Sequence, residues 1–179
     1  VCNYLSKKDI NITYLKPEKN GIVILDKIKN SVKKNTYMIS VMHANNEIGV
    51  IQPISEIGNY CKKSKILFHV DAAQSLGKIL IDVKKMNIDL LSISGHKIYG
   101  PKGVGALFIN NKINNKISPI LFGGNQEKSI RPGTVPVPLV IGFGKACEKA
   151  NILMVKESEY LLKLRTLLLN SIKDQINDI

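Results

Sequence analysis

The sequence of 179 residues contains no tryptophan, three cysteines and very little arginine. No stretch approaches the roughly 18 uninterrupted apolar residues of a membrane-spanning helix, so an integral helical membrane protein is excluded and no membrane partner is expected. Of 26 basic residues only Arg131 and Arg165 are arginine, the side chain that grips bases and phosphates with a bidentate fork. The lysines are scattered in pairs, at Lys7-Lys8, Lys33-Lys34, Lys62-Lys63 and Lys84-Lys85. The net charge of +12 therefore reads as solvated surface, and a non-catalytic basic module that binds nucleic acid is the weakest functional reading. Cys2, Cys61 and Cys147 are odd in number, lack a CxxC pair and have no histidine at metal-ligand spacing. They are expected to be structural thiols, and no metal is expected. The start at Val1-Cys2-Asn3-Tyr4 and the end at Asn177-Asp178-Ile179 both read as abrupt, as in a piece of a larger protein.

What is present is an alternation of short β-branched runs and amphipathic stretches. Strands are predicted at 11–15 (NITYL), 36–42 (TYMISVM), 66–70 (ILFHV), 89–93 (DLLSI) and 105–109 (GALFI). Helices are predicted at 24–34, at 54–63 with Ser55 as a cap, and over a long tail from 137 to 176 interrupted only by Gly142 and Gly144. Residues 110–116 (NNKINNK) read as a loop. The pattern predicts an α/β fold: three layers, a mostly parallel sheet flanked by helices.

Ligands of parallel α/β sheets bind beyond the carboxyl ends of the strands. Three strand ends here run into chemistry: His43-Ala44-Asn45-Asn46-Glu47, Asp71-Ala72-Ala73-Gln74 and Ser94-Gly95-His96-Lys97. An acid, a lysine and hydroxyl or imidazole donors are the parts a pyridoxal phosphate site needs. The lysine amine attaches to the aldehyde, the acid faces the pyridine nitrogen, and the donors hold the phosphate. By residue type Lys97, Asp71, and Ser94 with His96 fill these roles. His43 and His69 are expected to pack or hydrogen-bond. The run Gly100-Pro101-Lys102-Gly103-Val104-Gly105 lacks the GxxxxGK[ST] order of a nucleotide loop and reads as a tight turn into the next strand.

The strings HANNEIGVIQP (43–53), FHVDAAQSLGK (68–78), SISGHKIYGPKGVGALF (92–108) and GGNQEKSIRPGT (123–134) resemble, in order, those of the cysteine desulfurases. These belong to the class V aminotransferase group of pyridoxal-phosphate fold-type I enzymes. TVPVPLVIGFGKACE (134–148) resembles the housekeeping iron–sulfur-cluster branch, in particular its mitochondrial members. The resemblance implies that Lys97 carries pyridoxal 5'-phosphate and later moves protons at the substrate α-carbon. It also implies that Asp71 pairs with the ring nitrogen, that Asn46 and Gln74 contact the phenolic oxygen side, and that Ser94 and His96 bind the phosphate. Thr134 would reach the phosphate of a neighbouring subunit in a homodimer.

The implied reaction takes L-cysteine to L-alanine and leaves the sulfur as a persulfide on an enzyme cysteine. None of the three cysteines stands at the family's nucleophile position, so this chain alone is expected to lack turnover. Residues 1–150 would be the central part of the large cofactor domain, incomplete at both ends, and 151–179 a helix leading toward a small C-terminal domain. Implied partners are a second subunit, an iron–sulfur scaffold protein and a small accessory protein; the implied location is the mitochondrion, with the bacterial cytoplasm as alternative. Selenocysteine lyase, or another class V enzyme, is the alternative within the fold group.

Overall fold

The structure, a computed structural model, describes residues 1–176; the chain end at 177–179, with the last part of the 151–179 segment, lies outside the described residues. Four strands form one sheet in the order β1 (Met38–Met42), β2 (Leu67–Asp71), β3 (Leu90–Ser94) and β4 (Gly105–Ile109). β1 and β3 both pair parallel with β2. β4 runs back along β3: the Gly95 N–H donates to the Val104 carbonyl at one end, and the Asn110 N–H to the Asp89 carbonyl at the other. Each observed strand lies within two residues of its predicted bounds. The predicted strand at 11–15 does not form. Tyr14 there is 69% exposed, and its hydroxyl meets the side chains of Asn3 and Cys2 with no strand beside it. β-branched residues fit a pleated surface, but without a neighbouring strand to bond they stay irregular.

The chain divides into two compact units. The first comprises Val1–Gln74, Asp82–Ser92 and Leu107–Asn114. Its core is one face of β2, where Phe68 and Val70 are fully buried. Helix α3 (Ile54–Ser64) packs there because Ile54, Ile57 and Cys61 recur at helical spacing and all are buried. Fully burying a side chain the size of Phe68 contributes about 1.5–3 kcal/mol. Glu56 in the first turn and Lys62 and Lys63 in the last complement the helix dipole. Ser55 does not cap α3. The cap position falls two residues earlier, on Pro53, and no side-chain cap bond forms there. Helix α2 (Leu25–Ser31) is shorter than predicted, since the chain is already extended at Val32. A five-residue helix, α1 (Cys2–Ser6), was not foreseen, and the expected loop at 110–116 winds instead as a 3-10 turn over Asn111–Lys116 with Ile113 buried.

The second unit comprises Ser75–Ile81, Ile93–Ala106 and the chain from Asn115 onward. It is organised by α4 (Val137–Lys173), 37 residues long and continuous through Gly142 and Gly144. Gly142, Ala146 and Ala150, four residues apart on one face, are small where the helix meets Pro101, Gly100 and Gly77. A Cβ at Gly142 would come within 2.7 Å of the Pro101 ring, whereas one at Gly144 would meet nothing within 4 Å. The first glycine is a packing requirement and the second only an interruption.

The three cysteines differ. Cys61 is 1% exposed, as expected for a structural thiol; Cys147 is half-buried and Cys2 exposed. Burial, with the nearby Asp89 charge adding, pushes the Cys61 thiol up to about 12. A raised thiol value leaves stability intact below the ordinary value near 9. Stability is then lost as pH rises, because the unfolded chain ionises first. We expect the stability of a Cys61→Ala variant to fall less steeply than that of the parent between pH 9 and about 12, by up to about 1.4 kcal/mol per pH unit in denaturant titrations. The two glycines of α4 should respond with opposite sign. Gly142→Leu should cost about 1–3 kcal/mol through overpacking, and Gly144→Ala should gain about 0.5–1 kcal/mol from helix propensity, both read by chemical denaturation.

Candidate active site

The predicted residues fall into two sets, one in each unit. In the first unit β2 ends at Asp71, half-buried, whose Oδ1 accepts the Ala73 N–H at 2.9 Å. This local turn fixes the rotation of the carboxylate. Its other oxygen has no hydrogen-bond partner among the described residues. Gln74 follows in the same turn, half-buried. Asn46 is exposed near the tip of the 43–53 hairpin. That hairpin is tied by the Ala44–Ile51 bridge and by Asn45 Oδ1, which accepts the N–H groups of Glu47 and Ile48. The tie exists because a short Asx side chain can bond its own backbone two residues on.

In the second unit β3 ends at Ser94 and the chain enters a 3-10 turn, Gly95–Ile98, that carries His96 and Lys97. The turn depends on Gly95. Its N–H bonds the Val104 carbonyl at 3.0 Å, and a Cβ on it would press on Val104 and on Phe143 of α4. Ile98 is buried beneath, so the turn is anchored while His96 and Lys97 stay exposed. The Ser94 hydroxyl and the His96 Nδ1 lie 3.1 Å apart. A serine donating to Nδ1 leaves the Nε2–H free to donate outward, which suits an anion. Lys97 makes no ion pair among the described residues. Tyr99 and Gly103, both at positive φ, then turn the chain into β4. Thr134 is exposed in an irregular stretch ahead of α4.

These donors suit pyridoxal phosphate. A lysine amine with no ion pair among the described residues and a hydroxyl–imidazole pair occupy one strand end, and an acid with one committed oxygen occupies another. His43, expected to pack, is buried, and burial holds its imidazole below the usual histidine value. A cavity of about 190 Å³ beside it, between Gln52, the start of α3 and Met86, contains none of the predicted site residues.

His69, expected to pack or hydrogen-bond, is hydrogen-bonded on both ring nitrogens. Its Nδ1 lies 2.7 Å from the Ser40 hydroxyl and its Nε2 2.7 Å from the Ser92 hydroxyl. The sequence signal was the alternation in FHVDA, which puts His69 and Asp71 on the same face of β2.

Comparison with known proteins bears on family and fold. The chain is 53% identical over 159 residues to the cysteine desulfurase IscS of Plasmodium falciparum (isolate 3D7), which covers 88% of this chain and 29% of that one. It is 46% identical to the mitosomal cysteine desulfurase of Trachipleistophora hominis, over 98% of this chain and 40% of that one. Among solved structures a NifS-like protein superposes with a TM-score of 0.91 at 36% identity, over 97% of this chain and 47% of that one. The chain thus spans less than half the length of these relatives. Residues 2–178 match aminotransferase class-V, and with the parallel sheet and lysine-bearing turn described above this chain belongs to that family of pyridoxal-phosphate enzymes.

Proposed function

We propose that the protein is a pyridoxal-phosphate-dependent cysteine desulfurase, which converts L-cysteine to L-alanine and passes the sulfur, as an enzyme-bound persulfide, toward iron–sulfur cluster assembly. The observation that carries this reading is the anchored Gly95–Ile98 turn, which carries Lys97 directly after the Ser94–His96 pair. When bound, pyridoxal phosphate supplies an electron sink conjugated with the substrate α-carbon. Lys97 is assigned the covalent link to the cofactor and proton movement at that carbon. Asp71 is assigned the ring nitrogen, Ser94 and His96 the phosphate, and Asn46 and Gln74 the phenolic oxygen. Thr134 is assigned the phosphate bound by the second subunit of a homodimer.

The sulfur acceptor must have thiolate character and access. Burial raises both Cys61 and Cys147 above the ordinary thiol value, so the persulfide is assigned to neither. An iron–sulfur scaffold protein and a small accessory protein are the proposed partners. The mitochondrion is the proposed location, on the mitochondrial-branch motif and the relationship to a mitosomal enzyme.

Borohydride reduction of the cofactor-loaded full-length protein should place the label on Lys97 in peptide maps; label on another lysine would remove the basis for the assignment. Lys97→Ala should lower alanine formation from cysteine by about 10²–10⁴-fold or more. Cys147→Ala should leave that rate within about twofold, whereas loss of turnover would return Cys147 to the mechanism.

A further inference from the structure

Three adjacent strands carry a continuous polar chain across one face of the sheet. Ser40 on β1 bonds His69 Nδ1, and His69 Nε2 bonds Ser92 on β3, both at 2.7 Å. Ser40 is the register partner of His69, and Ser92 is the register partner of Asp71. Partners on adjacent strands stand about 4.8 Å apart with side chains on a common face. Ser92 therefore stands beside the acid while its hydroxyl is tied to the imidazole.

The number of protons constrains this chain. Burial lowers the basicity of His69 more than the Asp71 charge restores it, so the ring is neutral with one N–H and one lone pair. One serine must then donate to the ring and the other accept from it. A carboxylate at one end decides which, because it favours the order whose positive ends point toward it. Ser40 donates to Nδ1, the Nε2–H donates to Ser92, and the Ser92 proton is left to turn toward Asp71. The opposite order would aim a serine lone pair at the carboxylate.

We propose that Ser40, His69 and Ser92 form a directed hydrogen-bond chain whose function is to present its positive end to Asp71, the assigned acceptor for the ring nitrogen, with His69 and Ser92 as positioning residues. This rests on the assignment of Asp71 to that nitrogen. The Ala73 N–H bonds one oxygen of the carboxylate, and Ser92, the end of the chain, stands at the register position of Asp71 on β3.

The test loads the full-length protein with pyridoxal phosphate labelled with ¹⁵N in the ring and reads the nitrogen resonance. The parent should show the protonated position. Ser92→Ala should move the signal toward the unprotonated position, and Ser92→Thr, which restores the hydroxyl, should move it back. His69→Leu provides a second cut should Ser92→Ala fail to fold, and it should shift the signal in the same direction. His69→Gln, which keeps an N–H near Ser92, should stay close to the parent. An unshifted resonance in the cut variants overturns the proposal and leaves the chain as a tie between strands. An unprotonated nitrogen, or no cofactor on Lys97, in the parent itself overturns the site assignment and this inference with it.

Discussion

The register of β2 between its two parallel neighbours is the constraint on which the rest of this structure depends. Phe68 and Val70 face α3 and exclude water, so His69 and Asp71 must face the other way. A slip of one residue would exchange the two sets, putting a carboxylate in the core and a phenylalanine at the strand end. Apolar burial against Ile57 and Cys61 therefore decides where the acid points, although neither residue has any chemistry to perform. The same register sets Ser40 and Ser92 about His69.

In the second unit the equivalent constraint is steric. The turn bearing His96 and Lys97 is held by close backbone approach, and that requires small residues on both sides: Gly95 and Gly100 in the turn region, and Gly142 and Ala146 on α4. Charge has little part in holding either unit. Two of the ion pairs, Lys29–Asp26 and Lys145–Glu148, are exposed neighbours on a single helix, worth about a few tenths of a kcal/mol, and Lys27–Glu18 and Lys85–Asp82 also keep their side chains in solvent.

Much of this was legible because strands and their ends leave strong local signals. GALFI falls on its observed strand, and Asp71 and the Ser94–Lys97 group stand at strand ends as read. The failures have physical causes. NITYL has the composition of a strand, but pairing is non-local and no window of sequence reveals a missing partner. Ser55 has the right chemistry for a cap but lies inside the helix, since the turn starts at Pro53. Gly142 looked like a flaw in a helix because the ring it accommodates, Pro101, lies some forty residues earlier in the chain. His69 was expected to pack or hydrogen-bond, but which groups it bonds was hidden for a similar reason. Its two partners come from strands on either side, and a histidine inside an apolar run looks the same whether it is tied or idle. The roles of Asn46 and Thr134 came from family resemblance alone, since both are exposed polar residues with no local signal of their own.

The way Lys97 is mounted has a kinetic side. Its backbone is clamped by Gly95 below Val104 and by the buried Ile98, while its four-carbon side chain stands in solvent. An amine on such a mount changes position by rotamer hops, on the picosecond-to-nanosecond scale, where a hinged loop would take microseconds or longer. The two duties proposed for Lys97, holding the cofactor and then moving a proton, could alternate on that scale, faster than any turnover limited by bond breaking or by release of product.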